Sequence, residues 1–242
     1  MEVKTGIIVL ADISGYTQFL KNYQRSMLHA ELLITELIKA IMKSATLPLK
    51  VNKLEGDAVL FFGTINSEKE AKDLAINVTN QIENFFAKFK HEQSYLLASK
   101  ICKCDACTQL DQLKLKIIIH TGQVVAKKIE HFDEIASLDV VIAHDLLKNS
   151  FNYPEYILMT RDFYQIAGGC TDKTPEFKAE NIPDIGKIDV VYYRLASAEP
   201  LQRAEKHTLA GYYWLVKLEL YRFLRICHLL PDKQFNHLPA KN

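Results

Sequence analysis

Neither sign of charge dominates this chain: 30 Lys and Arg stand against 29 Asp and Glu, a formal net charge of +1. That balance excludes a global basic field for holding nucleic acid, and there is no acidic tail. Long hydrophobic runs are missing too. No apolar stretch reaches the ~18 residues that a membrane span requires. The opening MEVKTGIIVLADISG is apolar for only a few residues before Asp12 interrupts it, so it reads as a strand and not as a signal peptide. Internal repeats and low-complexity tracts are absent. The cysteines do not form an even, spread set: there are five, and Cys102, Cys104 and Cys107 fall within six residues. Such a set argues against a disulfide framework and for a reducing, cytoplasmic compartment. What remains is ordinary globular composition, 48% apolar and 24% charged over 242 residues. That is enough for one well-buried domain plus an appendage.

Two stretches organise the rest, GIIVLADISGYTQF at residues 6–19 and VNKLEGDAVLFF at 51–62. Each sets one carboxylate, Asp12 or Asp57, against a short β-branched and apolar run that reads as a buried strand. Strand ends are rigid mounts, so two carboxylates on adjacent strands can converge on one divalent cation. A ligand set made only of oxygen favours Mg2+ or Mn2+. Taken singly, each residue has a plainer reading: Asp12 as the cap of a helix starting near Ser14, and Asp57 as a turn residue. Taken together, they read as a phosphate-handling metal site. The backbone amides of Ile13, Ser14, Gly15, Tyr16 and Thr17, opening that helix, would help hold phosphate oxygens.

Helical spacing of Leu20, Leu28, Leu32, Ile38 and Ile41 carries the first helix to about Ser44. Strands at 49–54 and 58–64 follow, joined around Glu55-Gly56-Asp57, and then an amphipathic helix at 69–90. A cysteine-bearing connection at 91–112 leads to strands at 115–120 and 123–129, with Thr121-Gly122 read as their hairpin turn. This order predicts an α+β fold with a ferredoxin-like βαββαβ core and helices on one face of the sheet. A helix at 138–149, a short strand at 156–159, a short helix at 160–166 ended by Gly168-Gly169, and a closing strand at 188–195 complete a domain of residues 1–198. From Glu199 the composition shifts toward long aromatics and bases. Leu209, Tyr213, Val216, Leu220, Phe223, Cys227 and Leu230 lie at helical spacing, which predicts an amphipathic helical extension at 199–242. It is expected to pack on its own domain or on a sister subunit. Peripheral contact with a membrane surface is the alternative, and Trp214 among the charges suits either.

ADISGYTQF and KLEGDAVLFF resemble the two metal-binding segments of the class III adenylate and guanylate cyclase catalytic domain, and IIIHTGQVV at 117–125 resembles the strand that follows there. The three ordered matches span roughly residues 6–195. The Cys-x-Cys-x-x-Cys segment and the AHDLLKN helix also resemble a little-characterised bacterial branch of cyclase-like proteins. The resemblance implies that Asp12 and Asp57 hold two Mg2+ or Mn2+ ions on a nucleoside triphosphate, ATP first among them. One ion would acidify the ribose 3′-hydroxyl and the other would neutralise the leaving pyrophosphate. It further implies that Lys53 reads the purine edge with Glu134 as its acidic counterpart. The implied assembly is a homodimer in which one subunit supplies the carboxylates and the other the base-reading residues.

The helix SLDVVIAHDLLKNS departs from that pattern. The family carries an Asn and, four residues later, an Arg; Val141 and Asp145 align there. A carboxylate in place of a cation removes attraction and adds repulsion opposite a triphosphate. Loss of such an arginine costs on the order of 10³-fold or more in rate. His144 and Lys148 are the candidate substitutes. Cys102, Cys104 and Cys107, with His91 or His131 as a fourth ligand, form a candidate structural zinc site, against the plainer reading of reduced thiols in a loop. His120, at a strand end, is expected to be buried and hydrogen-bonded. Three functions remain in competition: a nucleotidyl cyclase, a nucleotide-binding sensor or regulatory module that no longer cyclises, and a purely structural interaction domain. A Gly-Gly-Asp/Glu-Glu-Phe signature and a basic groove are both missing, which sets aside diguanylate cyclases and polymerase palms.

Overall fold

The apolar run Ile7–Ala11 is fully buried on both faces, as a strand must be when layers cover both sides of its sheet. It forms the middle of β1 (Glu2–Ser14). In this computed structural model, residues 1–22, 27–99, 104–171 and 173–195 are described, with Tyr213, Val216, Leu220, Phe223, Leu224, Cys227 and Leu229 beyond them. The other strands are β2 (Lys50–Glu55), β3 (Ala58–Ile65), β4 (Lys114–Ile129), β5 (Phe132–Ala136), β6 (Tyr156–Thr160), β7 (Glu176–Ile182) and β8 (Gly186–Arg194). They order as β2-β3-β1-β4-β6-β8-β7, with β5 on the far half of β4. All pairings are antiparallel except β4 with β6.

The helices are α1 (Tyr16–Asn22), α2 (Met27–Ser44), α3 (Glu68–Ser99), α4 (Asp105–Thr108), α5 (Leu138–Asp145) and α6 (Arg161–Ala167). Side chains alternate across a strand, so β1 serves two cores. Ile7, Val9, Ala11 and Ile13 join the core built with α2, α3 and α6. Ile8 and Leu10 join the opposite one, under Ile142, Ala143 and Leu146. The α+β architecture is as the sequence predicts, but the helices are not confined to one face: α5 covers the second.

Three further expectations are corrected. Thr121-Gly122 is not a turn, because β4 runs unbroken for 16 residues and Gly122 pairs with Gly6 inside the sheet. Gly122 is there for space: a Cβ would lie 2.3 Å from Cγ of Asp139. The hairpin comes later, between β4 and β5. The second helix does not end near Lys90 but continues to Ser99, because its last turns are still inward-facing. Leu96 and Leu97 are buried, and the Gln93 amide donates to the carbonyls of Leu110 (2.7 Å) and Leu113 (2.9 Å). The first helix begins at Tyr16, since Ser14 still pairs with Lys114 as strand.

Of the C-terminal extension, Tyr213, Val216, Leu220 and Phe223 are helical and exposed. The boundary at 198/199 and, apart from these four and Leu224, Cys227 and Leu229, the extension lie outside the described residues. Among the described residues, no helix is long and apolar enough to cross a membrane.

Candidate functional site

Asp12 continues the Ile8, Leu10 series, so it projects on the α5 side, half-buried at the end of β1. Its strand neighbours are Ala58 and Lys116. Asp57 stands one residue before Ala58, in a turn that Gly56 closes with φ +66°. The backbone locks the two segments together, because the Ile13 amide donates to the Asp57 carbonyl at 3.2 Å. Their charges feel each other. Burial, then the negative charge of Asp12, push the Asp57 carboxyl up to about 6, opposed by a backbone hydrogen bond and by Lys116. Lys116 was not foreseen from the sequence. Its Nζ lies 3.0 Å from Oδ2 of Asp12. The available signal was a lysine in the α5-side alternation of an otherwise apolar strand.

The row continues across the sheet to Tyr156, whose hydroxyl accepts from the Asn149 amide. Burial foremost, with the Asp12 charge contributing, pushes Tyr156 up to about 12. Ser14, Lys116, Asn149 and Tyr156 help line a cleft of about 300 Å³ beside this corner. Among the predicted phosphate-binding amides, that of Ile13 is already used and Ser14 belongs to the strand. Gly15, Tyr16 and Thr17 form the turn and first helical residues, where amides have no acceptor within the helix. The Tyr16 hydroxyl donates to Glu31 Oε1 at 3.1 Å. Burial and the Glu31 charge, with a smaller contribution from Asp57, raise its pKa.

A second group gathers on β2, β5 and α5. Lys53 Nζ lies 3.1 Å from Oε1 of Glu55 and 3.7 Å from Oε2 of Glu134. The hydrogen bond it donates to Glu55 is the main cause of its raised pKa. His144 Nε2 lies 3.3 Å from the other Glu55 oxygen. Lys53, Glu134 and His144 are thus brought together, through a Glu55 that sequence reasoning passed over as a turn residue. Lys148 is not brought in: it is 81% exposed and bonded to Asp145 at 3.2 Å. Val141 is exposed. A cavity of about 810 Å³ reaches Glu134 from the far end of the sheet, between Lys50 and Lys128, and does not touch Asp12 or Asp57.

His120 is buried and bonded on both nitrogens, to Thr160 Oγ1 (3.1 Å) and Asp139 Oδ1 (3.0 Å). Neither His91, exposed on α3, nor His131, in the β4–β5 turn, meets the described cysteines. Their partner is His29 of α2, 3.3 Å from Cys104 Sγ and 3.8 Å from Cys107 Sγ. Cys102 lies outside the described residues.

The fold is that of class III nucleotidyl cyclase domains. The adenylyl cyclase CyaB from P. aeruginosa matches with a TM-score of 0.57 and 16% identity, over 82% of this chain and 98% of that one. The guanylyl cyclase Cya2 matches at 0.55 and 11%, over 85% and 98%. The chain itself belongs to the family described as "Protein of unknown function (DUF2652)", whose profile matches residues 34–156, just over half of it. That span carries Lys53, Asp57, Glu134 and α5, and begins after Asp12. The uncharacterized protein Rv2561/Rv2562 of Mycobacterium tuberculosis (strain ATCC 25618 / H37Rv) is 26% identical over 187 residues, 77% of this chain and 85% of that protein.

Proposed function

We propose that this protein binds a nucleoside triphosphate, ATP foremost, through Mg2+ or Mn2+ held by Asp12 and Asp57, and works as a nucleotide-binding regulatory module with little or no cyclisation. The observation that carries this is the convergence of two half-buried carboxylates, where burial and then the charge of Asp12 lift Asp57 to about 6. Such a corner lacks positive charge: Lys116 supplies one cation to two carboxylates, and the trio stays net negative. The all-oxygen donor set fits a hard divalent ion. When bound, that ion would neutralise phosphate charge and polarise a phosphoryl oxygen.

The chain's own residues have separable tasks in this reading. Asp12 and Asp57 fix the cation, and the turn at Gly15, Tyr16 and Thr17 offers amides to phosphate oxygens. Lys116, already on Asp12, lines the cleft beside this corner. Lys53 and Glu134, paired at 3.7 Å, present a donor and an acceptor to a purine edge. Leu138 and Val141, exposed one helical turn apart on α5, suit the face a second copy would cover, which supports a homodimer. The thiols of Cys170 and Cys227, in no disulfide among the described residues, suit a cytoplasmic setting.

Turnover is the second reading, and the Lys53–Glu134 pair is what favours it. Against it stands α5, where Asp145 occupies the place that the resemblance gives to an arginine and holds Lys148 at 3.2 Å. The two readings part in one experiment: calorimetric titration of the full chain with each triphosphate, with and without Mn2+, alongside assay for cyclic product. Metal-dependent binding that Asp12→Ala and Asp57→Ala each weaken at least 100-fold, without product, is the expected result. Product lost in the same variants would make it a cyclase. Absence of any binding would defeat both.

A further inference from the structure

We infer that His29, Cys104 and Cys107 form a structural zinc site that clamps α2 to the segment after α3. The ligand atoms of all three lie within 4.8 Å of one another. More telling are the individual separations, 3.3 Å and 3.8 Å from His29 Nδ1 to the two sulfurs. A tetrahedral ion with Zn–S near 2.3 Å and Zn–N near 2.0–2.1 Å sets its ligand atoms about 3.6 Å apart, N to S. The two N–S separations bracket that value. A thiol bonded to an imidazole would account for one cysteine, whereas two sulfurs share the same nitrogen here. Imidazole with thiolates is a borderline-soft donor set that selects zinc over magnesium or calcium.

The surroundings are those of a structural site. Cys107 is buried, and its neighbours Ala106 and Leu110 belong to the main core. Cys104 packs against the same core, and His29 comes from the opening turns of α2, about 75 residues away along the chain. A cross-link here ties the short α4 to the helix whose Glu31 receives the Tyr16 hydroxyl. Two thiolates and a neutral imidazole balance the charge of one Zn2+, so the ion can be buried without a further counter-charge. Metal that binds only the assembled ligands stabilises the folded chain. A fourth position would be filled by water. This assignment is independent of any nucleotide at Asp12 and Asp57.

Elemental analysis of the full chain, purified reduced and without chelator, should find about one zinc per chain. Refolding or exchange with Co2+ should give thiolate-to-cobalt charge-transfer bands and the intense visible bands of tetrahedral cobalt. His29→Ala and Cys104→Ser should each reduce bound zinc at least tenfold, with Cys227→Ser unchanged as the control. Stripping the metal should lower Tm by roughly 5–10 °C. Zinc-free protein that takes up Co2+ without thiolate bands would overturn the site. So would full zinc retention in His29→Ala. The cobalt spectrum needs no substitution, so the assignment stays testable if a variant fails to fold.

Discussion

The carboxylate corner and helix α5 lie on the same side of one sheet, yet they have diverged to different degrees from what phosphoryl transfer requires. At the corner, acidic groups, their strand mounts and the backbone bond from Ile13 to Asp57 are all in place. On α5, an exposed Val141 and an acidic Asp145 occupy the positions that resemblance assigns to a ribose-positioning amide and a guanidinium. The helix itself is intact: Ser137 caps it, accepting from the Val140 amide at 3.1 Å, and Ile142 and Ala143 anchor it on the second core. The difference is therefore one of surface chemistry and not of folding. Packing conserves a helix's buried stripe while its outward side chains change freely, so a fold can retain the means to bind a charged ligand and lose the means to react it.

The sharpest way to break this contrast is to restore α5. Val141→Asn with Asp145→Arg should raise cyclic product formation with Mn2+ at least about tenfold over the wild-type rate or detection floor, since a guanidinium at a transferring phosphoryl is worth on the order of 10³-fold or more when well placed. Because Val141 is exposed and Asp145, partly buried, belongs to neither core, the double variant should fold normally by circular dichroism. An unchanged product level with unchanged nucleotide binding would show that more than these two positions separates the halves.

A smaller effect tests the corner. Cation binding needs Asp57 ionised, and its pKa of about 6 means that most of it is protonated at pH 5 and most ionised at pH 7. Mn2+-dependent nucleotide affinity should thus fall about tenfold more from pH 7 to pH 5 than it does in Asp57→Asn, whose own change reports titration of the nucleotide's terminal phosphate. Calorimetric titrations of both proteins at the two pH values decide it, and an equal fall in the two would defeat the raised pKa.

Much of this corner was legible in the sequence because its information is local. A carboxylate closing an apolar run, a glycine beside an aspartate in a turn, and ordered segment matches place Asp12 and Asp57 without tertiary knowledge. What escaped was either non-local or disguised. Lys116 matters because register sets it opposite Asp12, and His29 because α2 passes the cysteines from 75 residues away. Gly122 carried a turn signal, Thr-Gly, whose cause is the Asp139 side chain seated over it. The strand β7, EFKAENI, was missed because edge strands alternate weakly and carry charge. The reach of α3 past Lys90 depends on Gln93 satisfying two carbonyls that only the folded chain brings near.

The smallest expected effect is on stability, and it separates the corner's cost from its use. The folded-state pKa of Asp57, about 6, lies above its ordinary value of 3.8, so between those values the native chain binds more protons than the unfolded one. Stability from this group is fully present below about pH 4 and is lost as pH rises through 6. At pH 7.5 the ionised carboxylate therefore destabilises the metal-free protein. Asp57→Asn removes that charge and should stabilise it by about 1–2 kcal/mol, after allowance for solvent screening of a half-buried group. For a domain of this size that is a Tm rise of roughly 2–8 °C. Added Mn2+ should raise the wild-type Tm toward that of the variant and leave the variant unmoved, because only the wild type has the second carboxylate to bind it. A variant less stable than wild type without metal would mean that Asp57 is held for its hydrogen bonds and not against its charge. The corner would then be a structural turn.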